Sequence, residues 1–103
     1  MEKQFSVGET ISLSPFRFNQ VGDTLQGRIA ERKERDIQGR SFGQYVVEDL
    51  EGNQWRVYGN VSLDDACSRV KDGEYIQIAL ESFEESPSGF PTKIFKVSRL
   101  VQA

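Results

Sequence analysis

A chain of 103 residues, 37% hydrophobic and 28% charged, has material for one small core, and its 11% aromatic content marks it as globular, not disordered. With 13 Lys and Arg against 16 Asp and Glu, the net charge of −3 argues against an indiscriminate duplex-DNA binder, which carries a strongly basic balance. The absence of histidine removes the commonest general base and nearly every zinc site, and a single cysteine allows no internal disulfide.

Residues 1–21 read as a lead-in. Phe5, Val7, Ile11 and Leu13 alternate loosely, Ser14-Pro15 breaks the pattern, and Phe16 and Phe18 follow at strand spacing. The pattern suits an added edge strand, a homo-oligomer contact or an arm laid over the body, and the residues do not choose among these. No apolar run has the length of a membrane span, and Met-Glu-Lys-Gln-Phe is no signal-peptide core, so a cytoplasmic location without a membrane partner is expected.

The domain proper, 22–103, opens on the turn Gly22-Asp23. Residues 24–35 then read as a long first strand with Leu25, Gly27 and Ile29 on one side. Gly27 inside that strand predicts a bend or bulge, as needed where one strand serves two halves of a small barrel. A polar loop over 36–41 leads to a hairpin with strands at 42–49 and 54–59. The turn Asp49-Leu50-Glu51-Gly52-Asn53 fits a three-residue loop with Gly52 as its left-handed residue. In that register Val47 opposes Trp55 and Tyr45 opposes Val57 on an apolar inner face. The outer face carries Phe42, Gln44, Val46, Arg56 and Tyr58. A slip of one residue would exchange Trp55 and Tyr58.

Next comes a helix over 62–71. Ser62 is the expected N-cap with Asp65 at its third position, and Gly73 the expected left-handed residue after the last turn. Leu63, Ala66, Cys67 and Val70 form one apolar stripe, which makes Cys67 a small buried residue. Strands over 74–84 and 91–100 follow, joined by the loop Glu84-Glu85-Ser86-Pro87-Ser88-Gly89. The adjacent pairs Asp64-Asp65 and Glu84-Glu85 sit where caps and solvated turns fall. No Walker loop, dinucleotide fingerprint or calcium loop occurs. The expectation is a protein that is not an enzyme and needs no metal or cofactor.

A long bent strand, a hairpin, a short helix and a final hairpin make an all-β order that matches the five-stranded Greek-key OB-fold barrel, with its helix between strands three and four. The runs Gly22-Asp23-Thr24-Leu25-Gln26-Gly27, Tyr45-Val46-Val47-Glu48-Asp49 and Trp55-Arg56-Val57-Tyr58-Gly59 resemble those of OB-fold proteins that bind single-stranded DNA, including small phage-type ones. The stretch Val70-Lys71-Asp72-Gly73-Glu74-Tyr75-Ile76 continues the likeness, which covers about residues 21–100. The terminal Leu100-Val101-Gln102-Ala103 departs from it: bacterial single-strand binders recruit partners through an acidic tail, so such recruitment is not expected here.

The resemblance implies a ligand path across strands two and three, between the loop after strand one and the loop joining strands four and five. The first loop then supplies Arg35, Gln38 and Arg40. The platform supplies Phe42, Gln44, Arg56 and Tyr58, and the last loop Ser88, Phe90 and Lys93. Rings for base faces and cations for phosphates are what an unpaired strand needs, and the residues leave DNA or RNA open. Tyr58 is the leading stacking ring, while Phe90 either folds back over the barrel mouth or stands ready for a ligand. Arg32, Lys33 and Arg35 alternate with Glu31, Glu34 and Asp36, which allows local neutralisation. The alternative function is a protein-interaction module, an accessory or inhibitory subunit of a nucleic-acid machine, which the acidic balance and the Phe16–Phe18 lead-in favour.

Overall fold

Apolar alternation and one helical stripe set the elements near where the spacing predicts them, but the expected loop over 36–41 shrinks to Gln38 and Gly39, because the strands on either side pair on through it as far as Ile37 and Arg40. The computed structural model describes residues 4–5 and 13–101. It contains β1 (Thr24–Ile37), β2 (Arg40–Asp49), β3 (Gln54–Tyr58), α1 (Val61–Cys67), β4 (Tyr75–Glu84) and β5 (Thr92–Arg99). Val7 and Ile11 of the lead-in lie outside the described residues. No helix among the described residues is long and apolar enough to cross a membrane.

The strands form one five-stranded antiparallel sheet in the order β3-β2-β1-β4-β5. β1 serves both halves: Thr24–Arg28 pair with β4 and Gly27–Ile37 with β2. At the crossing, a Cβ on Gly27 would collide with the Glu48 carbonyl, so only glycine fits. The register slips by one between Ile29 and Glu31, leaving Ala30 as a bulge. The slip inverts the pleat. Leu25 and Ile29 point to the core, whereas beyond the bulge Lys33 and Arg35 stand on the opposite face and Arg32 turns to Tyr45.

The hairpin has the predicted register, with Val47 opposite Trp55 and Tyr45 opposite Val57. Its turn is braced by one carboxylate: Asp49 Oδ1 accepts from the amides of Glu51 and Asn53, each at 2.9 Å, and Oδ2 accepts from the Trp55 indole at 3.0 Å. Gly52 takes the left-handed conformation, with φ of 88°.

Three further expectations need correction. The helix N-cap is Asn60, not Ser62: Asn60 Oδ1 accepts from the Leu63 amide at 2.9 Å. The Ser62 hydroxyl is committed elsewhere, accepting from the Phe95 amide on β5 at 3.0 Å. The helix also ends at Cys67 instead of 71. There the Arg32 guanidinium donates to the carbonyls of Cys67 (2.8 Å) and Val70 (2.5 Å) and to Asp72 (2.6 Å), and so caps the helix from β1. Gly73 lies beyond that point and donates to the Ile29 carbonyl, turning the chain into β4. Finally, strand pairing does not close the sheet into the expected barrel. Among the described residues β3 and β5 form no ladder, and the outer edge of β3 is instead bridged by the lead-in at Arg56.

Of the roles open to the lead-in, 14–18 take that of an edge segment packed on the core. The Phe16 amide donates to the Arg56 carbonyl at 2.9 Å, the Arg56 amide donates to the Ser14 carbonyl at 3.0 Å, and Pro15 bridges Arg56 in parallel. Phe18 is 4% exposed and meets the Phe95 ring edge-on at 5.1 Å, while Phe16 does the same to Trp55 at 5.6 Å. Asn60 Nδ2 completes the bridge to β5, donating to the Lys93 carbonyl at 2.9 Å.

Burial pushes the Cys67 thiol up to about 11, which keeps it protonated and inert. Leu63, Ile29 and Ile76 of the same core cluster are equally inaccessible, and α1 packs chiefly against β5.

Two outcomes follow for stability. Phe18→Ala should lower unfolding free energy in urea by about 3–5 kcal/mol, the cost of a core phenylalanine, whereas a dispensable arm would lose little. The Trp55 indole N–H, helped by the amides of Asn53 and Glu51, holds the Asp49 carboxyl below its ordinary 3.8. A depressed folded value means stability that is present above the unfolded value and lost as pH falls through the folded one. The advantage of wild type over Asp49→Asn should therefore hold at neutral pH and shrink below about pH 4 in pH-resolved urea melts.

Candidate functional site

Residues directly opposite in an antiparallel ladder share a face. Arg35 opposes Phe42, Lys33 opposes Gln44, Gln44 opposes Tyr58, and Val46 opposes Arg56. Phe42, Gln44, Arg56 and Tyr58 therefore lie on one face with Arg35 and Lys33, and the Ala30 bulge is what brings the two β1 cations there. Arg40, opposite Ile37, joins the same face at its far end, its guanidinium 5.8 Å from the Phe42 ring.

Tyr58 stands at the centre, 39% exposed. The Arg35 guanidinium lies 4.2 Å from its ring centroid and that of Arg56 lies 5.2 Å away. Among the described residues neither arginine forms an ion pair, and the Nε of each is buried without a hydrogen-bond partner. Other cations of the same run are neutralised: Arg32 on Asp72 at 2.6 Å, Lys33 on Glu31 at 3.3 Å and Arg28 on Glu48 at 3.2 Å. The alternation of charge thus spares Arg35 alone among the β1 cations. Two guanidiniums without ion-pair partners are thus held against one exposed ring.

Beside Tyr58 the face falls into a cleft of about 250 Å3 between the lead-in and β5. Arg17, Arg35 and Lys93 line it together with Asn60, and no carboxylate among the described residues does. Lys93 thus joins the site, through the cleft. Phe90 does not line the cleft: it stands 79% exposed on its own loop, where the Ser86 hydroxyl donates to the Phe90 carbonyl at 2.6 Å. Of its two expected arrangements, folding back over the body is the one not adopted. Trp55 is half-buried on the inner face, bonded to Asp49 and covered by Phe16.

Sequence reasoning missed Arg17 and Asn60. The signal for Arg17 is the triplet Phe16-Arg17-Phe18: at strand spacing, two rings packed inward set the arginine between them outward. Asn60 had no local signal, because its position between β3 and β5 depends on the fold.

The rear of the platform is fixed by Asp64 on α1. Its carboxylate accepts from the Gly43 amide at 2.9 Å and the Tyr45 hydroxyl at 2.6 Å, and a side chain at Gly59 would displace it. Burial first, and the bond to Asp64 second, raise the Tyr45 phenol far above its ordinary value, so Tyr45 remains a donor at any working pH. The Gly59 amide donates to the Gly43 carbonyl at 2.8 Å and extends the β2–β3 bonding past Tyr58.

Compared with known proteins, the chain matches no family model, no curated protein and no solved structure. The function must be argued from these side chains.

The two aromatic positions should separate in stability measurements. Tyr58→Ala should stay within about 1 kcal/mol of wild type, whereas Trp55→Ala should cost roughly 3 kcal/mol, the low end for a core tryptophan because the ring is only half-buried. A reversed order in urea unfolding would mean that the strands pair one residue out of register.

Proposed function

We propose that this protein binds single-stranded nucleic acid, without catalysis and largely independent of sequence, on the outer face of β2 and β3. The observation that carries the proposal is the Arg35–Tyr58–Arg56 group: an exposed ring with two guanidiniums against it that no carboxylate among the described residues neutralises. Bases stack on the ring, and phosphates meet the cations beside it. Phe42 offers a second ring and Gln44 an amide for base edges. The cleft of Arg17, Arg35, Asn60 and Lys93 receives the backbone where the strand leaves the platform.

The OB-fold belongs to the same proposal. It is supported by the element order with α1 between β3 and β4, by the sharing of β1 between two partners, and by the lead-in, Asn60 and Ser62 spanning the space between β3 and β5. In such a partly open barrel the ligand crosses β2 and β3 between the two flanking loops, where Arg40 and Phe90 stand. DNA is the proposed ligand, in replication, recombination or repair.

Titration of a labelled oligothymidylate of about 16 nucleotides at several salt concentrations tests this. About three or four phosphates should be neutralised, giving a slope of log affinity on log salt of roughly −2 to −3, and duplex DNA should bind far more weakly. Tyr58→Ala should weaken binding roughly 5- to 150-fold, the equivalent of 1–3 kcal/mol per stacked base, with the slope unchanged. Arg56→Ala should weaken binding and reduce the slope by about 0.7. Equal affinity for duplex and single strand, or no binding at low salt, would overturn the proposal.

A further inference from the structure

The β2–β3 turn presents a second surface of opposite charge. A groove of about 680 Å3 runs between Glu48, Asp49, Leu50 and Glu51 on one side and Tyr75 and Val101 on the other. Among the described residues, three that line it are carboxylates and none is a cation. Its apolar members are unusually bare: Leu50 is 58% exposed, Tyr75 51% and Val101 89%. Leu50 and Glu51 are also held rigidly, since they stand on the turn that the Asp49 carboxylate and Gly52 lock into one shape. An exposed leucine on a braced turn loses little conformational freedom on being covered.

We infer that this groove docks a segment of a partner protein in which lysine or arginine stands next to an aliphatic or aromatic anchor. Charge complementarity selects the occupant. Glu48 is answered by Arg28 at 3.2 Å, but among the described residues Glu51 has no ion-pair partner, and Asp49, whose carboxylate braces the turn, has no cation either. A nucleic-acid backbone is repelled here, and no group among the described residues could hold a metal ion. The anchor side chain covers Leu50 and Tyr75, and its cationic neighbour meets Glu51 and Asp49. The groove shares no residue with the cleft at Tyr58, so partner and nucleic acid can be held at once, and the inference stands whether or not the nucleic-acid proposal does.

Selection of random dodecapeptides displayed on phage against the immobilised protein tests it. The recovered peptides should combine Lys or Arg with Leu, Ile, Phe or Trp, bind one to one, and weaken as salt is raised. Binding to Leu50→Ser/Tyr75→Ser should be roughly tenfold or more weaker, and that to Glu51→Lys similarly reduced, with oligothymidylate affinity unaltered in both. Glu51 lies on an exposed turn, so Glu51→Lys carries the test if the double variant loses its far-UV spectrum. The inference fails if no peptides are enriched over blank beads, if they lack cations, or if they bind the variants as tightly as wild type. Self-association of the wild-type chain in sedimentation, abolished by the same variants, would make a second copy the occupant and overturn it too.

Discussion

One inserted residue governs this molecule. Up to Ile29, β1 sends its odd-numbered side chains into the core; after the Ala30 bulge the odd-numbered side chains point the other way. Without it, Arg35 and Lys33 would face the interior, where an unpaired cation costs several kcal/mol, and Arg32 would point away from α1. With it, Arg32 binds the Cys67 carbonyl at the helix end and Val70 and Asp72 just beyond it, and Arg35 reaches the ring of Tyr58. The helix end and the cationic platform depend on the same irregularity. Bulges are found where a strand must re-aim its side chains, and this one separates a structural half of β1 from a half that serves the surface.

The hairpin and the helix were legible in the sequence because their signals are local. Asp49 and Gly52 fix the turn, the turn fixes the register, and the register assigns faces to Trp55 and Tyr58. The stripe Leu63, Ala66 and Cys67 likewise required nothing beyond helical spacing, although the same spacing ran on to Val70, past the true end of the helix. The bulge was not legible at Ala30. The run Glu31 to Asp36 is charged at every position, so no apolar residue marks which side faces in. Gly27 drew attention to a bend but only marks the close crossing over Glu48. The N-cap was misread for a different reason: Ser62 and Asn60 are both good caps, and what decided between them was an amide on β5, thirty-three residues away.

Charge is sorted across this small body more sharply than its net value suggests. The ion pairs consume Arg28, Arg32 and Lys33, and leave Arg17, Arg35, Arg56 and Lys93 around one ring. Three carboxylates, Glu48, Asp49 and Glu51, stand at the β2–β3 turn. A sum of −3 thus conceals a basic cleft and an acidic groove on one small body.

The edge of β3 carries a last consequence. A bare outer strand offers its amides and carbonyls to any other chain, and sheets that leave one uncovered polymerise side by side. Here the short run 14–16 occupies the outward amide and carbonyl of Arg56, and its middle residue is proline, which has no amide to pass the ladder on. The chain thus protects itself against growing into a fibril with a segment that sequence alone would treat as an appendage. A version cut short at residue 19 would lose a core phenylalanine and expose a sticky strand together, and insolubility would follow from the second as much as from the first.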